Sequence, residues 1–335
     1  MMWRVSPPRA KRWPEGVPVA ERGPGESYRP DDTPGPHQPG ITTTFLDHVA
    51  FAALDVSALE GLGELAAEAE QRTDADLTVT LGLGASLFDG RFGLAHRRPL
   101  ALRPLPAFPG DDLDPGLCDG DLALQVCARD PARADEALAG LVAAATVRWS
   151  LRASVRRRPH DNPHGRPRNL LGFKDGSINP RRGKDHDRHV WVYRGEQAWM
   201  VGGTFLVARR IEVDLEAWQA LTLDEQERVI GRHRDSGAPL GATHEYDPVD
   251  DAVTPTDAHA RLTSPRENGG ARMLRRAYSY DTGILLLTYQ RDPRRQFVPV
   301  QQRLAERDAL ARFSRPIGSA LFAIPPRDFV DGLLR

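Results

Sequence analysis

Three groups of side chains in this sequence can do chemistry. The first is a set of ten histidines. Imidazole changes charge near neutral pH and offers a lone pair to a metal. His160, His164, His186 and His189 share one basic, irregular stretch. No helical i, i+4 pair and no CxxC partner accompanies them, so a solvated loop is the plain reading and a metal site the sharper one. His37 precedes Gln38 in a Pro/Gly loop. His259 follows Asp257 inside a long insertion, and spacing alone reads it either as a ligand or as a structural histidine. The second group is Gly172-Phe173-Lys174-Asp175-Gly176. Two glycines bracketing an aspartate allow a tight turn that holds one carboxylate at a cavity wall, although Asp-Gly is also an ordinary β-turn pair. The segment lacks the Gly-Lys-Ser/Thr ending of a phosphate loop. The third is Met273-Leu274-Arg275-Arg276-Ala277-Tyr278. On a strand, Arg275 and Arg276 point to opposite faces, so one can serve an interior site while the other serves the structure. A charged surface strand is the plain reading.

Other chemistries find less support. No G-x-S-x-G elbow is present. Cys118 and Cys127 flank an expected strand and read as core residues rather than nucleophiles. Two cysteines are too few for a disulfide framework. Lys plus Arg (45) balances Asp plus Glu (46), leaving net charge −1. That argues against a nucleic-acid binder. No run of about 20 apolar residues exists to span a membrane.

The elements that must position these residues follow from periodicity. His48–Val56 reads as a strand. Ser57–Arg72 reads as a helix, with Leu59, Leu62 and Leu65 on one face and Ser57 as N-cap. Strand Leu77–Gly84, a long Pro/Gly loop over 85–120, strand Asp121–Ala128, helix Pro131–Ala144 and strand Thr146–Val155 complete a βαββαβ order. A second pass finds strand Val201–Arg210, helical Asp214–Arg232 in two pieces, and a hairpin of Arg275–Asp281 with Ile284–Arg291. Helix Gln296–Phe313 and strand Ser319–Ile324 follow. The expected class is α+β: two ferredoxin-like βαββαβ modules of the dimeric α+β barrel type, about 41–155 and 190–325. Long loop insertions lie at about 156–190 and 233–274. The domains expected are 41–189, carrying the GxxDG loop, and 190–327, with a tail at 328–335.

Gly (30) and Pro (28) make about 17 per cent of the 335 residues, against an ordinary 12 or so. Nine prolines fall between Pro7 and Pro39, so residues 1–40 read as irregular and poorly packed. Arg9, Lys11 and Arg12 precede Trp13-Pro14-Glu15-Gly16 rather than an apolar stretch, so no secretory leader is expected.

Together, GFKDG at 172–176, His259 in DAHARLTSPR and MLRRAYSY at 273–280 resemble the dye-decolorising peroxidase family. Gly35–Ile41 (GPHQPGI), Gly82–Gly93, Gly120–Cys127, Gln226–Leu240, Tyr289–Phe297 and Gly318–Pro326 resemble it in the same order. The likeness covers about 33–327 and is greatest to the bacterial subgroup with twin-arginine-exported, iron-uptake-associated members. It implies a haem b cofactor held by the C-terminal domain, with His259 as proximal iron ligand. Asp308, in the last long helix, would be the acid behind that histidine, with Glu306 as the alternative. It implies Asp175 as distal acid–base group beside Arg275, with Arg276 left open. The charge on Arg275 would favour an ionised Asp175, able to work at acid pH. The implied activity is peroxidase: hydrogen peroxide oxidises dye-like or small organic donors through a ferryl intermediate. Haem iron release, as in a deferrochelatase, and non-catalytic haem binding are the alternatives. Where Leu286 stands the family often has Phe, so the space over the distal face would be larger here. Trp191, Tyr193, Trp199, Tyr278, Tyr280 and Tyr289 are either relay residues for bulky donors or packing aromatics. No nucleic-acid partner is expected, and a homo-oligomer is compatible with the sequence. The compartment expected is cytoplasmic, or exported by the twin-arginine route if a leader is missing.

Overall fold

Eight strands carry the apolar alternation, and every pair of neighbours is antiparallel. They come from a computed structural model that describes residues 36–143, 145–158, 161, 165–181 and 183–334. In chain order, β1 (His48–Asp55), α1 (Leu62–Gln71), β2 (Leu77–Gly84), β3 (Leu122–Ala128), α2 (Pro131–Leu141) and β4 (Thr146–Ser154) form the first half. A short α3 (Lys184–His189) leads to β5 (Thr204–Val213), α4 (Leu215–Gln219), α5 (Leu223–Ile230) and α6 (His259–Leu262). Then follow β6 (Leu274–Tyr280), β7 (Gly283–Gln290), α7 (Phe297–Arg307) and β8 (Ser314–Ile324). The sheet closes into a barrel in the order β1-β3-β2-β8-β5-β7-β6-β4.

Each half contributes four contiguous strands, β4-β1-β3-β2 and β8-β5-β7-β6. The seams between halves are short. β2 meets β8 at Leu83↔Ala323 and Gly84↔Phe322, and β4 meets β6 at Ser154↔Ser279. Gly84 is required at its seam, because a Cβ there would lie 1.8 Å from the Gly120 carbonyl oxygen. Alternate strand residues, among them Phe51, Cys127, Tyr278, Leu287 and Phe322, fill the barrel with one apolar cluster. The opposite faces of the first-half strands, with Ala52, Leu54, Val79 and Leu81, pack under α1 and α2. A third cluster, including Leu171, Phe173, Trp218, Ile230 and Phe313, joins the GFKDG loop to α4 and α5.

Several local expectations change. The first helix starts at Leu62, not Ser57. Gly61 is its N-cap in the left-handed region, and Ser57 makes no cap. The long loop at 85–120 holds four short 3₁₀ turns. The fifth strand begins at Thr204 rather than Val201, and the last at Ser314 rather than Ser319. α7 stops at Arg307 rather than Phe313, and a 3₁₀ turn, Ala309–Phe313, follows it. Asp308 therefore lies between them, outside the helix. Its side chain accepts from Leu310 N at 2.9 Å, the competition with helical bonding for which aspartate is prone. Residues 36–40 are irregular but packed: Gln38 is buried, donating to the Leu81 and Pro325 carbonyls and accepting from Leu81 N. The rest of the Pro-rich segment lies outside the described residues. No helix among the described residues is long and apolar enough to cross a membrane.

Candidate active site

Strand alternation separates the two arginines of β6. Arg276 points into the barrel with Tyr278. Its guanidinium donates to the carbonyls of Gly40, Ile41, Thr43 and Thr44 and lies 4.8 Å from the Phe45 ring centre. Arg275 points out of the barrel, and its Nη2 meets Asp175 Oδ1 at 3.3 Å. Both members of that pair are mostly buried, 18 and 19 per cent exposed. The Arg275 Nε is buried and has no hydrogen-bond partner among the described residues. Opposite Arg275 stands Thr288, whose buried hydroxyl is likewise unpartnered. Leu286, half-buried, lies one pair along on the same face.

The Asp175 turn is held from several sides. Gly176, at φ +81°, closes it. The buried Asn179 side chain accepts from Arg275 N at 3.0 Å and donates to Arg275 O at 2.8 Å. This bond pair fixes the loop to β6 one residue at a time. Lys174 and Ser177 both reach Glu245, at 3.0 and 2.9 Å. Arg168 donates to the carbonyls of Gly172, Arg234 and Asp235 while paired with Asp161. The two insertions thus form one tied unit around Asp175. Arg232 is buried nearby and donates to the Gly237 and Glu245 carbonyls. Burial, and next the charge of Arg275, lower its pKa.

His259 opens α6. Its Nδ1 lies 2.6 Å from Asp308 Oδ2. A carboxylate only accepts, so Nδ1 donates this bond and Nε2 is the ring nitrogen left to face a ligand. Among the described residues nothing bonds to Nε2, and the ring is 28 per cent exposed while Asp308 is 6 per cent. Glu306 instead accepts from Gln302 on the outside of α7.

The remaining candidates separate clearly. His186 and His189 are buried in α3, and His160 and His164 lie outside the described residues. No group of three or more His, Cys, Asp or Glu suited to a metal ion occurs among the described residues. Burial raises the pKa of both thiols, Cys118 and Cys127, which disfavours the nucleophilic thiolate. Tyr278 and Tyr289 are fully buried in the barrel, Trp191 and Trp199 nearly so, and Tyr280 bonds Glu212; Tyr193 is exposed. Sequence reasoning missed Asn179, Glu245, Arg168 and Arg232. Asn179 sits three residues past Gly176, but its partner is a peptide group 96 residues on, which no local signal marks.

Comparison with known proteins supplies the family. The model described as "Dyp-type peroxidase, N-terminal" matches residues 38–153, and "Dyp-type peroxidase, C-terminal" matches 166–329. A dye-decolorizing peroxidase of Thermobifida fusca is 40% identical over 359 residues, covering 89% of this chain and 83% of that protein. A deferrochelatase of Yersinia pestis is 40% identical over 282 residues. There the match covers 75% of this chain and 64% of the relative's length. The structure of ferric DtpA from Streptomyces lividans superposes with a TM-score of 0.81 at 38% identity, covering 87% of this chain and 92% of that one. With both family models matched in order over most of its length, the chain belongs to the Dyp-type peroxidase family.

Proposed function

We propose that the protein is a haem-dependent peroxidase that uses hydrogen peroxide to oxidise dye-like or small organic donors. The observation that carries this reading is the His259–Asp308 bond, which engages Nδ1 and leaves Nε2 to meet iron. The residues present fit haem b in two further ways. Arg275 Nε and Thr288 Oγ1 are buried without partners among the described residues, as groups that a bound cofactor or its ligand would meet are. Arg275, mostly buried, also suits an anion derived from peroxide. When bound, the haem would supply the iron and a ring that together hold the two oxidising equivalents taken from hydrogen peroxide.

The chain's own residues divide the rest of the work. Asp308 holds the His259 proton on Nδ1 and makes the imidazole a stronger donor. Asp175 takes a proton from one oxygen of hydrogen peroxide and returns it to the other, so that water leaves as the O–O bond breaks. Arg275 stabilises the hydroperoxide anion and the charge that separates in that step. The base that this pair supplies is a carboxylate rather than an imidazole. The long insertions hold this pair away from water.

The same reading treats the barrel as two ferredoxin-like modules. The order β4-β1-β3-β2 and its counterpart β8-β5-β7-β6, each with a βαββαβ chain path, supports it. Haem iron release is the second reading, favoured by the deferrochelatase relatives at 40% identity.

The test is optical. The haem-loaded protein should show a Soret band that shifts within about a second of adding peroxide; peroxidase reactions at ordinary turnover are that fast. An unchanged band refutes the peroxidase reading. Free protoporphyrin and iron released on turnover would favour the second reading. His259→Ala should lose or loosen haem, and an unchanged spectrum would remove His259 as ligand.

A further inference from the structure

Asp175 stands in a turn whose two arms end on one carboxylate. Lys174, the residue before it, donates from Nζ to Glu245 Oε2 at 3.0 Å. Ser177, just beyond Gly176, donates from Oγ to Glu245 Oε1 at 2.9 Å. Each oxygen of Glu245 thus holds one arm, with Asp175 and the left-handed Gly176 between them. The ion pair is shielded from water: Glu245 is 13 per cent exposed and Lys174 25 per cent. A charge-assisted bond in such a place is stronger and less screened than one on the surface.

The surrounding loop is shaped for this contact. The Glu245 carbonyl accepts from the buried Arg232 at 2.9 Å, so its backbone is held as well as its side chain. Gly237, at φ +76°, leaves the space that the pair fills. A Cβ there would lie 2.9 Å from Lys174 Cδ and 3.3 Å from Glu245 Cγ.

The clamp also sorts charge. Lys174 is next to Asp175 in the chain, yet its ammonium is spent on Glu245 and on the Ser236 carbonyl at 3.0 Å. The ion pair of Asp175 among the described residues is with Arg275. A lysine released from Glu245 would compete with Arg275 for that carboxylate.

We propose that Glu245 is a positioning residue for Asp175. Acting through Lys174 and Ser177, it fixes the turn so that the Asp175 carboxylate faces Arg275, and it withholds the neighbouring ammonium. Its effect on the peroxide step rests on the peroxidase reading; its hold on the turn does not.

Two measurements on the haem-loaded Glu245→Ala protein test this. In stopped flow, the peroxide-induced Soret shift should slow roughly tenfold to a hundredfold, the scale of a displacement of about 1 Å. The later reduction by a donor should nearly keep its rate. Glu245→Gln retains an acceptor for Lys174 and a polar partner for Ser177, so it should recover part of the loss. Hydrogen exchange read by mass spectrometry, without peroxide, should be faster over residues 172–179 in Glu245→Ala than in the parent, with β5 unchanged. A peroxide step at the parent rate, or one slowed no more than the donor step, overturns the proposal. So does unchanged exchange over 172–179. Absence of the Soret shift in the parent would refute the peroxidase reading, and the exchange result would still decide whether Glu245 holds the turn.

Discussion

Arg275 and Arg276 are adjacent, chemically identical and oppositely employed. Arg276 ties the irregular segment at 40–44 into the barrel mouth through four carbonyl groups. Arg276→Ala leaves those acceptors buried and should cost roughly 2–4 kcal/mol. Urea unfolding will show it, and the peroxide step of the protein that remains folded should change little. Arg275→Ala should do the reverse. It should leave the urea midpoint nearly in place and slow the peroxide step about a hundredfold or more in stopped-flow absorbance. Equal effects of the two substitutions on both measurements would contradict this division of roles. Asp308→Asn keeps the shape of the carboxylate but removes its charge. The variant should retain haem and react with peroxide roughly 10–100 times more slowly, the usual scale for a partner behind a ligating histidine.

At the scale of elements, the insertions act as clamps on β6. Asn179 binds both peptide groups of Arg275, so Asn179→Ala loses two hydrogen bonds, roughly 1–3 kcal/mol. The larger expected effect is kinetic. A small displacement of Asp175 relative to Arg275 should slow the peroxide step tenfold to a hundredfold, with the haem spectrum of the resting protein unchanged. The α3 segment carries a different consequence. Burial holds the His189 imidazole neutral, with its pKa lowered from an ordinary 6.5 to about 4, although Asp185 opposes the shift. Below pH about 6.5 the unfolded chain gains a proton there that the folded protein does not take up until about pH 4. Stability should therefore fall as pH drops through that window. In urea titrations across pH 4–7, His189→Gln should show a flatter dependence than the parent.

Over the whole molecule, the barrel is two four-stranded halves joined at two seams far shorter than the pairings within a half. β5 and β8 pair from Thr204 to Val213, whereas β4 and β6 share the single pair Ser154↔Ser279. Local opening should start where pairing is shortest. Hydrogen exchange read by mass spectrometry should therefore show peptides around Ser154 and Ser279 exchanging well before those of β5. Uniform protection around the barrel would refute this weak point. The proposed active-site pair hangs on β6, next to this seam, while His259 and Asp308 hang on the loops and helices of the second half. The two sides of the site thus depend on different parts of the frame.

Much of this was legible in the amino-acid sequence. Period-two alternation placed most strands within a few residues, because half-buried strands must alternate. The helices were placed less well at their ends. Gly61 and Asp308 decide those ends by backbone conformation and side-chain capping, which periodicity does not register. The residues of the site were visible as types: an aspartate between glycines, a histidine in an insertion, and two consecutive arginines of which one must face away from the other. The sequence alone could not choose between Arg275 and Arg276, nor between Asp308 and Glu306. Those choices depend on which face of β6 is covered by the GFKDG loop and on where α7 stops. They also depend on contacts spanning 100 residues, from Asp175 to Arg275, and 49, from His259 to Asp308. Such pairings are set by closure of the barrel and docking of its insertions. Local sequence determines which side chains are available, and only the tertiary structure determines which of them meet.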